Sequence, residues 1–108
     1  MATTYKVLGQ IAPSATTETT LYAASGQAVV STISICNQAA TAATYRILVR
    51  PAADSTTAAK HYIIYGATVP ASDSTMLTLG ITLANNDLIR VYASSATLSF
   101  NAYGSEIV

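Results

Sequence analysis

The sequence predicts an all-β fold, an antiparallel β-sandwich of about eight strands with a jelly-roll-like arrangement, in one domain spanning residues 1–108. Three observations support this prediction. Apolar and polar residues alternate with a period of two along most of the chain, no window combines a 3.6-residue apolar period with helix caps, and turn-forming clusters separate the alternating runs. Strands with one apolar face need a second sheet to cover it. No linker resembles the crossover helix that a parallel sheet requires.

The run "MLTLGITL" is the clearest strand, because its leucines and Ile81 share one face while the threonines and Gly80 share the other. Breakers such as "APSAT", "ASGQ", "RPAADSTT" and "ANND" mark the connections, and Pro51–Lys60 is expected to be a loop, with a helical turn as the alternative. The predicted strands are Tyr5–Gln10, Thr17–Tyr22, Ala28–Asn37, Thr44–Val49, His61–Tyr65, Thr75–Leu83, Leu88–Ala93 and Leu98–Ile107.

Strict alternation also assigns the faces of individual strands. In "VVSTISICN" it places Val29 with Ile33 and Ile35, and it places Val30 with Cys36 on the opposite face. Cys36 then ends a strand, at a sheet edge or subunit contact outside the main core, and Asn37 begins a turn that sets the register of the next strand. In "TYRILVRP" the residues predicted to share the outward face are Arg46, Leu48 and Arg50.

Charge is scarce in this sequence. Five basic residues balance five acidic ones, and charged residues make up 9% of the chain, against about 25% in ordinary soluble domains. A neutral domain has no electrostatic attraction for nucleic acid or for anionic lipid, so neither is expected as a partner. No apolar run approaches the roughly 18 residues of a membrane-spanning helix. The N-terminus lacks the pattern of a signal peptide, and one cysteine suggests synthesis in a reducing cytosol.

The polar character comes instead from threonine and serine. Protein interfaces are depleted in Lys, Glu and Asp, whose desolvation is costly, so a charge-poor surface favours contact with neighbours in an assembly. Low net charge also favours self-association. The alternative is that threonine and serine simply suit the exposed faces of strands.

Catalytic residue patterns are weak. A nucleophilic Cys36 would need His61, the chain's one histidine. Cys36 lies within a predicted strand, away from clustered cations or a helix N-terminus that would lower its pKa, and buried packing is the favoured interpretation. The five carboxylates show no spacing that singles out a glycosidase pair. We therefore expect a protein that is not an enzyme.

Metal and cofactor motifs are equally weak. One histidine and one cysteine fall short of a structural zinc site. The oxygens of "ANND" would be conceivable calcium ligands, but calcium needs six to eight of them, so a hairpin turn is the preferred interpretation. The five glycines are scattered and form no phosphate-binding loop. No metal and no cofactor are predicted.

Seven tyrosines supply almost all of the aromatic mass. Tyrosine can cap the edge of a core with its hydroxyl in water, and it is also favoured in protein and sugar recognition. Outward positions on the predicted strands combine tyrosine with arginine. The candidate contact residues are Arg46, Arg50, Tyr62, Arg90 and Tyr92.

Two long segments carry a resemblance to a known class of proteins. "TTETTLYAASGQAVVSTISICNQAATAATYRILVRP" and "GITLANNDLIRVYASSATLSFNAYGSEI" together cover most of the chain. They are similar to segments of small β-sandwich virion structural proteins of tailed bacteriophages, particularly marine and cyanobacterial phages. The chain departs from those relatives at Ala23–Gln27, where they often carry a proline.

The resemblance implies a multi-copy protein of the virion, assembled in the host cytoplasm as a homo-oligomer in contact with other structural proteins. Capsid decoration, or cementing, is the first expectation. The alternative is a tail, baseplate or fibre component that binds a receptor or a host surface glycan, for which Tyr62, Tyr65, Tyr92 and Tyr103 are the candidate contacts. The resemblance brings no catalytic residues with it.

Overall fold

The computed structural model describes residues 3–107, and within them it confirms the predicted antiparallel β-sandwich of eight strands. A single turn of 3-10 helix at Ala59–His61 precedes the fifth strand, so that strand begins one residue later than predicted. The strands are β1 (Thr3–Ile11), β2 (Thr19–Ala23), β3 (Gln27–Asn37), β4 (Ala43–Arg50), β5 (Tyr62–Val69), β6 (Ser74–Leu83), β7 (Leu88–Ala93) and β8 (Leu98–Ile107).

The strands form two four-stranded sheets. Sheet A has the order β1-β8-β3-β6, and sheet B has the order β2-β7-β4-β5. All strand pairs are antiparallel, and every connection except β4 to β5 passes from one sheet to the other. This order is that of a jelly roll, in which two Greek keys are wrapped into a sandwich.

The core lies between the sheets and is built from the inward residues of both. Phe100 and Ile33 of sheet A and Ile47 and Val91 of sheet B are fully buried. The ring of Tyr45 meets Phe100 edge-on, with ring centroids 6.2 Å apart. Each large apolar side chain buried in this way contributes about 1.5–3 kcal/mol, so the inner faces supply the main stabilisation.

The predicted faces of β3 are wrong at its start. Val30 is fully buried and Val29 is half-buried, the reverse of the prediction. The reason is a β-bulge at Ser31, where the register of β3 shifts against both β6 and β8. The bulge places one extra residue between Val30 and Ile33, so both of these side chains face the core.

Gly104 of β8 accommodates this bulge. A Cβ atom at Gly104 would collide with the backbone carbonyl oxygen of Val29. The Ser31 hydroxyl donates a hydrogen bond of 3.2 Å to the carbonyl oxygen of Tyr103 and holds the bulge against β8. A glycine inside a strand is the sequence signal of such a close approach.

Leu48 has the predicted outward orientation but is fully buried. It lies outside the cluster between the sheets. The connection of residues 51–61 folds back, and its 3-10 turn contacts β4. The protein therefore has a second, smaller buried region on the outer side of sheet B.

Asn37 anchors one end of the sandwich and is only 1% exposed. Its side-chain amide donates to the carbonyl oxygens of Thr41 (2.9 Å) and Val69 (3.2 Å). Its side-chain oxygen accepts from the Ala39 backbone N–H and the Thr97 hydroxyl. This side chain thus ties the β3–β4 turn to the end of β5 and the start of β8.

Candidate functional site

The five predicted contact residues all lie on the outer face of sheet B. Arg46 is paired with Tyr92 in the register of β4 and β7. Arg90 is paired with Leu48, which is also the partner of Tyr62 on β5. The alternation of β4 and β7 puts Arg46, Arg50, Arg90 and Tyr92 on this face, so these positions follow from the sequence pattern.

A bulge in β5 adds Tyr65 to this group. Tyr62 and Tyr65 are three residues apart and would point to opposite faces of a regular strand. The register of β5 shifts at Ile63, which brings both tyrosines to the outer face. Their ring centroids are 5.0 Å apart at an interplanar angle of 88°.

Arg46 is held between two tyrosine rings. The centre of its guanidinium group lies 4.2 Å from the ring centroid of Tyr65 and 4.2 Å from that of Tyr92. Cation–π contacts of this kind are worth about 0.5–2 kcal/mol each. We call the row of side chains Tyr62, Tyr65, Arg46 and Tyr92 the tyrosine–arginine ladder.

The other two arginines of this face are engaged by Glu18. The Arg90 Nε group donates to Glu18 Oε2, and Arg50 lies 4.0 Å from the same carboxylate. The Thr57 hydroxyl donates to Glu18 Oε2 at 2.7 Å and accepts from Arg50 at 3.1 Å. This network fastens the 51–61 connection to sheet B.

Glu18 remains ionised within this network. Partial burial raises the pKa of Glu18, but hydrogen bonds from Thr57 and Arg90 and the charges of Arg90 and Arg50 outweigh it. The pKa of Glu18 is therefore lowered from its ordinary value of 4.5. Arg50 and Arg90 consequently have a structural role that the sequence pattern did not distinguish from surface contact.

Arg46 differs from every other cation in the described part of the chain. Lys6 pairs with Glu106 and Lys60 with Asp54, while Arg50 and Arg90 share Glu18. Within residues 3–107, Arg46 forms neither an ion pair nor a side-chain hydrogen bond; its contacts are the two tyrosine rings.

A shallow cavity adjoins the ladder. It has a volume of about 480 Å³ and is lined by Thr57, Ala58, Ala59, Tyr62 and Tyr65. Tyr65 is 65% exposed. The volume falls within the range of small-molecule sites. The cavity exists because the 51–61 connection returns across sheet B, a placement that alternation does not predict.

The histidine next to this cavity is structural. His61 is buried, and its Nδ1 atom accepts the backbone N–H of Ala58 at 2.9 Å. The other ring nitrogen, Nε2, therefore carries the proton and donates to Asp54 at 2.8 Å. The hydrogen bond from His61, together with the charge of Lys60, lowers the pKa of Asp54.

Cys36 and His61 do not meet. Cys36 is partly exposed on the outer face of sheet A, between Ser99 and Ser74 in the strand register. His61 lies beneath the 51–61 connection on the outer side of sheet B. Since stacked sheets are about 10 Å apart, a cysteine–histidine pair is not assembled. Cys36 lies outside the main core, as predicted, but the predictions of a sheet-edge position and of burial are wrong, because β3 is an inner strand and Cys36 is partly exposed.

A turn at "ANND" is confirmed, but it is not the predicted hairpin turn, because β6 and β7 lie in different sheets. Asp87 Oδ2 accepts the backbone N–H of Ala84, and Oδ1 accepts that of Ala52, each at 2.9 Å. Asn86 adopts a left-handed φ of 70°, as this residue type tolerates. In the described range, no group of three His, Cys, Asp or Glu residues is positioned to hold a metal ion.

The outer face of sheet A has a different chemistry. None of its described residues is charged, although it spans four strands. It carries most of the large exposed apolar side chains, including Tyr5 (84% exposed) and Met76 (72%). Tyr103 lies on this face, away from the other candidate sugar contacts. The face comprises Tyr5, Val7, Gln10, Val29, Thr32, Ser34, Cys36, Ser74, Met76, Thr78, Thr82, Ser99, Asn101, Tyr103 and Ser105.

Comparison with known proteins gives no family assignment. No protein-family model matches the chain, and no curated protein matches it either. Across residues 3–107, no helix has the length and apolar character needed to cross a membrane.

Proposed function

We propose that the chain is a non-enzymatic structural protein of a phage virion, present in many copies on the particle surface as a capsid decoration or cement protein. One observation carries this proposal, namely the uncharged outer face of sheet A with its exposed Tyr5, Val7, Met76 and Tyr103. Covering such a face requires no desolvation of charged groups, which makes it suited to contact with another copy or another virion protein. The resemblance to phage structural proteins supports the same proposal.

The size of the face is adequate for assembly. Four strands spaced by about 4.8 Å and about ten residues long present roughly 600 Å². A partner would therefore bury about 1,200 Å² in total, at the lower end of specific protein interfaces. Many equivalent copies on a symmetric particle would compensate for a modest area through multivalency.

Quantitative mass spectrometry of purified particles tests this proposal. A capsid decoration protein should be present at on the order of hundreds of copies per particle, in proportion to the major capsid protein. A few tens of copies would instead assign the chain to the tail. Its absence from purified particles would refute a virion role.

A variant pair tests the role of the face in assembly. Met76→Glu places a charge on this face at β6, an edge strand of sheet A, and should reduce incorporation into particles, because that charge would be buried without a partner. Ala40→Glu, in the exposed β3–β4 turn, introduces the same charge elsewhere and should be incorporated normally. Equal incorporation of the two variants would show that the face is not the contact surface.

A second function is favoured by the tyrosine–arginine ladder. In this alternative the chain is a receptor- or carbohydrate-binding module in a tail, baseplate or fibre. Exposed tyrosine rings beside a cavity are typical of sugar recognition. The two functions use opposite faces of the sandwich, so each can be tested without disturbing the other.

A further inference from the structure

We propose that the tyrosine–arginine ladder and its adjoining cavity bind an acidic sugar, with the carboxylate on Arg46 and the sugar ring against Tyr62 and Tyr65. The inference rests on the second of the two functions above and names its ligand class. It is independent of assembly through sheet A.

The charge of Arg46 favours an anionic ligand. Among the cations of residues 3–107, it alone has no acidic partner. Arg46 is half-buried as a residue, and the rings of Tyr65 and Tyr92 lie against its guanidinium group. A partly desolvated cation without a counter-ion attracts an anion more strongly than a fully solvated one. The ligand should therefore carry a negative charge.

The geometry of the guanidinium group also favours an anion. Its central carbon lies 4.2 Å from the ring centroids of both Tyr65 and Tyr92. The N–H donors lie in the plane and make no hydrogen bond within the described range. A carboxylate accepts two of these donors in a fork, which is the geometry that distinguishes arginine from lysine. Because the rings hold Arg46 in place before binding, little side-chain entropy is lost.

The cavity next to Arg46 can accommodate the neutral part of the ligand. The cavity beside Tyr62 and Tyr65 is lined by these rings, two alanines and Thr57. Apolar ring faces suit the C–H face of a sugar, and the tyrosine hydroxyls, which make no hydrogen bond to described residues, suit its hydroxyl groups. The arrangement places a site for a sugar ring directly beside a site for its carboxylate.

Other anionic ligands fit less well. A peptide would be expected to pair with the open edge of β5, but the bulges at Ile63 and Gly66 interrupt that edge. A nucleic acid needs several cations along its phosphates, whereas Arg50 and Arg90 already share the carboxylate of Glu18.

Isothermal titration calorimetry with matched ligands tests the inference. The acidic probes are trigalacturonate and sialyllactose, and their neutral counterparts are the methyl ester of trigalacturonate and lactose. We expect at least one acidic probe to bind the full chain about 10- to 100-fold more tightly than its neutral counterpart, as a charge-assisted fork predicts. An Ala-Glu-Ala-Glu peptide serves as the protein-like acidic probe.

The variants identify the residues responsible. Arg46→Met should bring binding of the acidic probe down to that of its neutral counterpart, and Arg46→Lys should restore only part of the difference. Tyr65→Ala should weaken the binding of both the acidic probe and its neutral counterpart. Tyr103→Ala, on the opposite face, should leave the affinity for both unchanged. Thermal unfolding of each variant confirms that it is folded before binding is measured.

Three results would overturn the inference: neither acidic probe binds, Arg46→Met binds the acidic probe as tightly as the unaltered chain, or the peptide binds more tightly than either sugar. The first result would also remove the support for a sugar-binding module. Mass spectrometry of purified particles tests the virion role separately. A failure of the sugar-binding inference can therefore be distinguished from a failure of the proposed virion role.

Discussion

At the scale of single residues, the fold depends on a few polar side chains that are buried with all of their hydrogen bonds made. The Asn37 side chain satisfies backbone groups of the β3–β4 turn and of the end of β5, and it accepts a hydrogen bond from the Thr97 hydroxyl. Tyr22 donates from β2 to Glu106 of β8, which Lys6 also contacts, and so joins the two sheets along one edge. Each of these side chains was visible in the sequence, but Val69 and Thr97 lie far from Asn37 along the chain, as Glu106 does from Tyr22.

The Asn37 network predicts a large loss of stability on substitution. Asn37→Ala should lower the free energy of unfolding by about 2–4 kcal/mol, because it leaves several buried backbone groups without a partner. Asn37→Asp should lower it further, since a buried carboxylate would face the carbonyl oxygens of Thr41 and Val69. Urea unfolding measures both values. Gln38→Ala, at the neighbouring exposed position, is the control, and a comparable loss there would contradict this account.

At the scale of elements, the alternation of apolar and polar residues predicts all eight strands, because each has one face on the core. Alternation predicts the wrong face wherever a β-bulge inserts an extra residue into a strand. The bulges at Ser31 and Ile63 reverse the faces of Val29 and Val30 and bring Tyr62 and Tyr65 together. Gly104 was a sequence signal for the bulge at Ser31, but no residue of β5 predicts the bulge at Ile63.

The candidate site was predicted only in part for a related reason. Outward arginine and tyrosine positions on β4 and β7 follow from alternation. Alternation does not predict which arginines pair with a carboxylate and which one stays unpaired, because this depends on where Glu18 and the 51–61 connection pack. Such long-range packing leaves no periodic signal in the sequence.

The bulge in β3 can be tested with a matched pair of variants. Val30→Ala should lower the free energy of unfolding by about 2 kcal/mol, because it opens a cavity in the core. Val29→Ala removes the same atoms from a half-buried position on the outer face and should cost well under half as much. Chemical denaturation compares the two variants. Strict alternation predicts the opposite order, which would disprove the bulge.

At the scale of the whole molecule, the sandwich has two outer faces with different chemistry. Sheet A presents an uncharged outer surface with exposed tyrosine, valine and methionine. The outer face of sheet B carries three of the five cations, next to the connection of residues 51–61. A jelly roll keeps these faces apart. One face is thereby available for assembly while the other remains open to a ligand.

The ionisable groups predict how global stability depends on pH. The folded-state pKa values of Glu18 and Glu106 are lowered from 4.5, so their contribution is fully present above about pH 5 and is lost as the pH falls below 4.5. Burial and the hydrogen bond to Glu106 raise the pKa of Tyr22 above its ordinary 10.0. Its contribution is present below pH 10 and is lost as the pH rises further.

Urea unfolding between pH 3 and pH 11 should therefore show decreases at both ends. Glu18→Gln should lower stability at pH 7 by about 1 kcal/mol, the usual range for a partly exposed ion pair, and should flatten the acid decrease. Tyr22→Phe should reduce the alkaline decrease, and the remainder is expected from Tyr45, whose pKa is also raised by burial. An acid limb unchanged in Glu18→Gln would show that this network does not contribute to it.

Assembly through sheet A is the central claim, and hydroxyl-radical footprinting of intact particles tests it most directly. Met76, Tyr5 and Tyr65 are all well exposed in the isolated chain, so all three should be oxidised there. In particles, we predict that oxidation of Met76 and Tyr5 falls about tenfold while that of Tyr65 persists, because contact excludes solvent from one face only. Equal oxidation of Met76 in particles and in the isolated chain would contradict the account.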